Sequence, residues 1–567
     1  MPTLSSIIDN PINFLNHLNQ LPHPTPLNHL TLIRELIQWL NSDPNHPHRK
    51  RFLEQLSLDL PPKLIHLAFS TPLEEDDPKP ASWARHPAVT ILSFLCQYGN
   101  PREVFMALTQ TLSIFFHRAR QANDPFDPDE SVAESEEAED DDGEWLEGMN
   151  SGLGEALIQP LSIVLTRILT SSNKPRSFFQ TYAQTVLEIL NTFETRSTAL
   201  VTITSHALDI LRCAPSLRPL LDPFLLVATR TVWTQAEETI PLARACFVTK
   251  FPRWKPSLDR IVAREGGGEM ENEGESAFEG LSALIGPQAL AKYVSRPDAE
   301  VCEFFKSAVA DVDELGHMIR MGAFLVHTVA HSKLDRTEVI EENLIKATDE
   351  HEILLEALAD RSPTWIHAGL HVLISSARPA TDNQTIERLA RVATELNSPE
   401  LRFLVFRTLA ILLDQLQPQE EFETILHLFA NAIGARPKLE KALVNLVKER
   451  MARASRSGSR LWSVELLERI PGLVDGRKVG VEGLEVVVEK INLLYFLMTA
   501  DVENQTGIRN EDMRRKIERD LVEPAQRSLD TLGDGDGDDG LGMVLRSLEF
   551  SLDLLKSSTD WISPAVN

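Results

Sequence analysis

Apolar residues recur along this chain at the three- and four-residue spacing of an amphipathic helix, and this pattern limits the possible folds more than any other feature. One such stripe consists of Phe179, Tyr182, Val186, Ile189 and Leu190. Similar stripes run through 200–211, 220–232, 318–329, 353–358, 366–374, 401–412, 422–433, 439–447 and 484–498. Most end near Pro, Gly, Asn or Asp, which are residues that terminate helices. The pattern therefore predicts many short helices.

Short helices joined by tight turns over hundreds of residues are typical of an α-solenoid. Aromatic residues make up only 6% of the 567 residues, which disfavours a β-sandwich or β-barrel. No sharp repeat of about 34 or roughly 40–47 residues is present. We therefore predict an all-α fold of the irregular HEAT/armadillo-like α-solenoid type.

Three acidic or glycine-rich stretches interrupt the helical pattern, and they cannot bury enough apolar surface to offset the entropy of ordering them. We predict a disordered acidic loop at 123–149, a flexible loop at 265–277 and an acidic glycine loop at 533–540. The predicted division of the chain is N-terminal helical repeats at 1–122, central helical repeats at 150–397 and a C-terminal HEAT-like region at 398–567.

The formal net charge of −27 at pH 7 excludes some classes of partner. Such an acidic protein repels phosphates, so neither nucleic acid nor an anionic membrane is expected to bind. The four cysteines are far apart and form no CxxC pair, which is typical of buried thiols in a reducing compartment. No signal peptide is apparent, and no uninterrupted apolar run of about 18 residues occurs. We expect a cytoplasmic protein that also has access to the nucleus.

The sequence lacks the motifs of common catalytic sites, including the GxxxxGK[ST] phosphate loop, the GxSxG elbow and the HExxH helix. Two pairs, His327 with His331 and His367 with His371, have the i, i+4 spacing that suits a shared metal. Catalytic zinc needs three protein ligands, and no carboxylate or cysteine at a fixed spacing completes either pair. We therefore predict no metal, no cofactor and no enzymatic activity, with a metallohydrolase at one histidine pair as the rival hypothesis.

One segment of this acidic chain is basic. Between Arg436 and Arg460, eight Lys and Arg residues against two Glu residues give a local net charge of +6. Arg and Trp are enriched at binding hot spots, and a partner with an acidic patch would be steered to such a segment. The candidate partner-binding residues are Lys448, Arg450, Arg453, Arg456, Arg460 and Trp462. A solvated helix face followed by a flexible turn is the alternative interpretation of the same charges.

Three segments in the last third of the chain form a distinctive pattern. They are the apolar stretch LLYFL at 493–497, the polar turn DVENQTGI at 501–508 and the stretch IERDLVEP at 517–524. Together they resemble the C-terminal signature of the glomulin family. That family also includes a plant lateral-root-formation protein and fungal proteins that bind an oxidative-stress transcription factor. The resemblance covers about residues 398–562.

The residues of this signature have the properties of turn and helix-end residues. Gly507 can adopt a positive φ angle, and Asn504 and Thr506 can bond to turn amides through their side chains. Pro524 can end or kink the helix that contains it. We therefore expect structural roles for all four residues.

The resemblance implies a non-enzymatic regulator whose 398–567 region binds a protein partner. Glomulin is an irregular HEAT-like solenoid that clasps the RING subunit of cullin ubiquitin ligases and covers the surface that recruits the ubiquitin-conjugating enzyme. Inhibition of such a ligase by steric masking is the leading expectation. The alternative is an oxidative-stress adaptor that binds a bZIP transcription factor, or a kinetochore-associated scaffold. In the adaptor, a reactive thiol would be exposed near cations, and Cys246 lies closest to a basic stretch.

Overall fold

The structure of this protein is a computed structural model. The model describes residues 15, 26–42, 47–70, 82, 85–123, 151–193, 197–235, 240–264, 273–295, 299–305, 312–332, 350–360, 362–375, 383–432, 436–453, 459–470, 481–532 and 539–560. Within these ranges the regular structure is helical and no strand occurs, which confirms the predicted all-α class. The HEAT/armadillo repeat type stays a prediction.

The helices are numbered here in chain order. The first thirteen are α1 (Pro26–Ser42), α2 (Pro47–Gln55), α3 (Leu60–Ser70), α4 (Pro87–Tyr98), α5 (Pro101–Asn123), α6 (Ser151–Leu169), α7 (Pro175–Thr192), α8 (Ser197–Cys213), α9 (Arg218–Gln235), α10 (Leu242–Lys250), α11 (Lys255–Arg264), α12 (Glu273–Ile285) and α13 (Pro287–Ser295). The others are α14 (Ala299–Phe305), α15 (Val312–Ser332), α16 (Glu350–Ala359), α17 (Pro363–Ser375), α18 (Asn383–Glu395), α19 (Pro399–Gln415), α20 (Pro418–Ala432), α21 (Pro437–Arg453), α22 (Val464–Arg469), α23 (Val481–Ala500), α24 (Glu511–Ile517), α25 (Glu523–Leu532) and α26 (Asp539–Asp560).

Proline is the first residue of many of these helices, and this explains why several of the predicted apolar stripes begin just after a proline. The first residue of a helix has no intrahelical acceptor for its N–H, so proline costs nothing there and its fixed φ suits the helix. Helices that begin with proline are α1, α2, α4, α5, α7, α13, α17, α19, α20 and α21.

Two predicted loops are shorter than expected. Helix α12 begins at Glu273, so the predicted loop 265–277 is wrong for its last five residues. Helix α26 begins at Asp539, so the predicted loop 533–540 is wrong for its last two. Acidic residues favour a helix start because the helix dipole stabilises negative charge there. Asn123 is the last residue of α5, so the predicted acidic loop 123–149 is wrong for its first residue. The rest of all three loops lies outside the described residues.

The chain forms two compact units. Unit 1 comprises Met1–Leu242 and Glu269–Ala368, and unit 2 comprises Ala243–Gly268 and Gly369–Asn567. Each unit joins segments that are distant in sequence. The predicted segments 1–122, 150–397 and 398–567 divide the chain by composition instead, and they stay a prediction.

The core of unit 1 includes the predicted stripe on α7. Phe179 and Tyr182 are fully buried, and the Phe179 ring meets the Phe224 ring of α9 edge-on with centroids 5.8 Å apart. The Tyr182 hydroxyl forms a 2.9 Å hydrogen bond with the Ser162 hydroxyl of α6. Burial raises the pKa of Tyr182 to about 12, so the phenol stays neutral. These contacts join α6, α7 and α9.

A very close helix crossing lies at Gly322 of α15. An added Cβ atom at this position would overlap the carbonyl oxygen of Leu226 on α9 and lie 2.7 Å from its carbonyl carbon. Helices α9 and α15 are extensively packed together, and only a residue without a side chain allows this approach.

One stretch among the described residues, Gly152–Leu169 in α6, is long and apolar enough to cross a membrane by length and composition. Of this stretch, 78% is buried within the fold. Helix α6 packs against α5, α7 and α8, and these contacts account for its apolar composition.

In unit 2, helix α21 lies next to α20 and α23, and α23 packs along α26. A buried ion pair connects α21 to α23, where the Lys490 ammonium lies 2.5 Å from the Glu440 carboxylate. Both side chains are only 6% exposed. This pair therefore holds opposite charges in the buried contact between α23 and α21, the helix that carries most of the predicted basic segment.

Candidate partner-binding surface

Of the predicted partner-binding residues, Lys448, Arg450 and Arg453 lie in the last turns of α21, and Arg460 and Trp462 lie in the short 3-10 turn Arg460–Trp462. Arg456 lies outside the described residues. Arg450 and Trp462 are buried, Lys448 and Arg460 are half-buried, and Arg453 is exposed. The segment is therefore not one uniform cationic face, and its members have different environments.

Arg450 lies inside unit 2 and binds carboxylates from two other helices. Its Nε atom donates to Glu421 of α20 at 2.7 Å, and its guanidinium also pairs with Asp414 of α19. Burial lowers the pKa of Arg450 to about 10, which leaves it charged at neutral pH. With 7% of its surface exposed, Arg450 joins α19, α20 and α21 and offers a partner little to contact. This corrects the expectation of a steering charge at this position.

Trp462 is a core residue, which corrects the expectation of an aromatic anchor on the surface. It is 5% exposed, and its Nε1–H donates to the Met451 carbonyl at 3.1 Å. Its ring centroid lies 6.0 Å from that of Phe496 on α23. Both the polar and the apolar parts of the indole are therefore satisfied inside unit 2.

Arg460 is held by neighbouring side chains. Its guanidinium pairs with Glu465, and it lies 5.2 Å from the centroid of the Phe422 ring. Glu423, 4.0 Å from Arg460, is bound through both oxygens at 2.9 Å by Arg469. The positive charge of Arg460 is thus largely balanced in place.

Arg453 is part of a surface that was not predicted from the sequence. It pairs with Glu449, which also accepts from Arg407 of α19 at 2.7 Å. The Arg407 Cζ atom lies 3.8 Å from the ring centroid of Trp254, the closest guanidinium–ring approach among the described residues. Arg453 and Arg253 lie 5.8 Å and 5.5 Å from the same ring.

We call Arg253, Trp254, Arg407 and Arg453 the basic-aromatic surface. Arg253 is exposed, Trp254 is half-buried, and the Arg453 side chain is 43% exposed. Three guanidiniums surround one indole, and Glu449 supplies the opposing charge. Guanidiniums over an indole face are stabilised by cation–π attraction, so the indole and its cations are held in one arrangement before any partner binds.

Sequence reasoning found Arg453 but missed the other three residues. Arg253 and Trp254 lie in the 3-10 turn Pro252–Trp254 before α11, and Arg407 lies in the middle of α19. No local spacing links positions so far apart in sequence. The local signals were the basic stretch after Cys246, which includes Arg253, and the Arg-Trp pair that follows Pro252.

The polar turn of the family signature is organised by a residue that was not predicted. The Asp501 carboxylate, buried at the end of α23, accepts from the Gln505 and Thr506 backbone N–H groups at 2.8 Å each. The Thr506 hydroxyl also donates to it at 2.6 Å. Thr506 therefore donates to Asp501, whereas we expected its side chain to accept from a turn amide.

Asn504 and Gly507 have the predicted roles. Both adopt a positive φ, of 55° and 69° respectively. The Asn504 side-chain oxygen accepts from the Arg509 backbone N–H at 2.8 Å. Asparagine and glycine are the residues that adopt this conformation at least cost, so the signature fixes the path of the chain from α23 into α24.

Pro524 widens its helix and does not end it. A π-helical turn, Glu518–Val522, lies between α24 and α25, and Pro524 is the second residue of α25. Proline lacks an N–H and its ring blocks the carbonyl four residues earlier, here Asp520. A widened turn absorbs this disruption while the helix continues.

The histidine pairs have no completed ligand set among the described residues. His327 and His367 are buried and His371 is half-buried, whereas the His331 side chain lies outside the described part. No group of three or more His, Cys, Asp or Glu side chains in the described ranges is placed to hold a metal.

The cysteines differ in burial. Cys96 and Cys302 are buried, as predicted, but Cys213 and Cys246 are only half-buried. Burial raises the pKa of the Cys96 thiol. The Cys246 sulfur lies 3.1 Å from the Ser375 hydroxyl.

Part of the chain matches a known family. Residues 31–223, from α1 into α9 in unit 1, match the family described as "Uncharacterised protein family, YAP/Alf4/glomulin". No curated protein matches the chain. The match confirms the predicted family, but its location differs from the prediction, which placed the resemblance in residues 398–562.

Proposed function

Because the match over residues 31–223 places this chain in the YAP/Alf4/glomulin family, we propose that it is a non-enzymatic binding protein that masks the RING subunit of a cullin ubiquitin ligase. Family membership and the all-helical fold support a protein-interaction role. The basic-aromatic surface is the proposed contact, and the arrangement of three guanidiniums around Trp254 is the observation that carries the proposal.

The composition of this surface favours an acidic protein partner. Tryptophan and arginine are the residues most enriched at energetic hot spots of interfaces. On a chain with net charge −27, a local group of arginines would also orient an approaching acidic patch. Lys448 on α21 is half-buried and would add to this attraction.

Masking needs surface contact and no chemical step. A stable interface covers about 800 Å² on each partner, which is more than four side chains provide. The basic-aromatic surface would therefore be the centre of a larger contact on unit 2. A ligase whose RING subunit is covered in this way cannot receive the loaded ubiquitin-conjugating enzyme.

A pull-down with the purified RING subunit tests this proposal. We expect the double variant Trp254→Ala/Arg453→Glu to retain at least tenfold less RING subunit than the wild type, since it loses the central indole and reverses one charge. Circular dichroism and the thermal midpoint establish that the variant is folded.

Arg212→Glu is the matched control. It also reverses an exposed arginine that pairs with an acidic neighbour on its own helix, Asp209, but it lies on α8 in unit 1. Its retention should equal that of the wild type. If the double variant retained as much RING subunit as the wild type, the basic-aromatic surface would not be the contact site. Recovery of a bZIP factor or a kinetochore protein from native cells, with no RING subunit, would favour the alternative adaptor role.

A further inference from the structure

A second surface feature of unit 2 is a cavity of about 580 Å³ next to the signature turn. It is bordered by α23, the signature turn, α24, the π-helical turn and α26. Six buried apolar side chains form its floor: Leu494, Met498, Ile508, Ile517, Val522 and Leu555. Pockets that bind drug-sized ligands have volumes of about 300–1,000 Å³, so this cavity has room for one apolar side chain.

The rim of this cavity is predominantly basic. Its charged residues are Arg509, Arg514, Arg515, Lys556, Glu511 and Glu518. Arg515 pairs with Glu511, and the six charges together leave a net charge of +2. The rim is therefore positive although the whole chain has a net charge of −27.

Arg509 is built into the wall of the cavity. Its two terminal nitrogens donate to the Met498 carbonyl at 2.8 Å and the Val502 carbonyl at 3.2 Å. Its Nε atom is buried and has no acceptor. Among the described residues no carboxylate forms an ion pair with it, so its positive charge stays available to a ligand.

We propose that this cavity binds an acidic peptide of a partner protein, with one apolar side chain on the floor and flanking carboxylates on the rim. The rim attracts carboxylates through charge complementarity. Burial of an apolar side chain against the floor stabilises the complex. An inorganic anion has no apolar side chain and cannot make this contact. Its residues are separate from the basic-aromatic surface, so the proposal does not depend on the proposed function.

Fluorescence anisotropy with a labelled heptapeptide tests this directly. The probe carries one leucine between six acidic residues, and it is titrated with the full-length protein. We expect saturable binding that weakens as salt is added, because exposed charges on the rim are screened. Replacing the leucine with serine, or the acidic residues with lysine, should each weaken binding at least tenfold.

One rim variant and two control variants locate the binding to the cavity. Arg514→Glu/Lys556→Glu should weaken binding of the acidic peptide at least tenfold, whereas Arg212→Glu and Trp254→Ala/Arg453→Glu should bind it like the wild type. Thermal midpoints establish that each variant is folded. No saturable binding by the wild type, equal binding by the rim variant, or equal binding of the serine peptide would each overturn the proposal. None of these results bears on the RING pull-down.

Discussion

Lys490→Met is expected to lower the free energy of unfolding by about 3–5 kcal/mol, the cost of leaving one member of a buried ion pair without its partner. Lys490 and Glu440 lie 2.5 Å apart and both side chains are 6% exposed. Without the ammonium, the Glu440 carboxylate is left buried without its counter-charge. Urea denaturation monitored by circular dichroism measures the change.

Two further variants separate the burial effect from a general effect of mutation. Lys441→Met removes the cation of the Lys441–Glu485 pair, which joins the same two helices but is 38% and 50% exposed. An exposed pair contributes about 0–1 kcal/mol, so this variant should be nearly as stable as the wild type. The double variant Glu440→Leu/Lys490→Met should recover most of the loss. A double variant as unstable as Lys490→Met alone would contradict this account.

Gly322→Ala is expected to destabilise the protein by about 3 kcal/mol, at the upper end of overpacking effects. The added methyl group would overlap the carbonyl of Leu226, and that backbone lies within the buried helix α9. Helices α9 and α15 would have to separate. The thermal midpoint and the urea midpoint of the variant measure the loss.

The direction of this effect is informative because helix propensity predicts the opposite. In an exposed helix interior, alanine is about 1 kcal/mol more favourable than glycine. Gly542→Ala, near the start of α26, is the nearest comparison, since Gly542 is half-buried and the closest neighbour of the new Cβ would be 4.0 Å away. We expect this control to be unchanged or slightly stabilised. A Gly322→Ala protein as stable as the control would show that the helix crossing is looser than the structure indicates.

The sequence predicted helices well where apolar spacing was strong. The stripe at 401–412 lies within α19, and that at 484–498 lies within α23. Apolar residues at three- and four-residue spacing indicate that one face of a helix is buried. Burial of that face supplies most of the stability of such a helix. Composition identified the acidic stretches but not their ends, because the first turn of a helix tolerates acidic residues.

Side-chain environments could not be predicted in the same way. Lys448, Arg450 and Arg453 are close in sequence, yet they differ in exposure because a helix turns each toward a different neighbour. The sequence could not show that Trp254 and Arg453 are neighbours. Their proximity depends on the packing of α19, whose Arg407 contacts both the Trp254 ring and Glu449, the partner of Arg453. Asp501 was missed because the turn pattern directed attention to Asn504 and Thr506.

We propose that this protein acts by covering a surface of its partner and not by making or breaking bonds. The most direct test is a titration of the full-length chain into a reconstituted cullin–RING ligase that transfers ubiquitin to a substrate. The ligase concentration is set well above the dissociation constant of the complex between this protein and the RING subunit. Inhibition should then rise in proportion to the protein added and be complete near one chain per RING subunit. Trp254→Ala/Arg453→Glu should shift the curve to much higher ratios. Undiminished ubiquitin transfer at a tenfold excess, or complete inhibition far below one chain per RING subunit, would contradict the account.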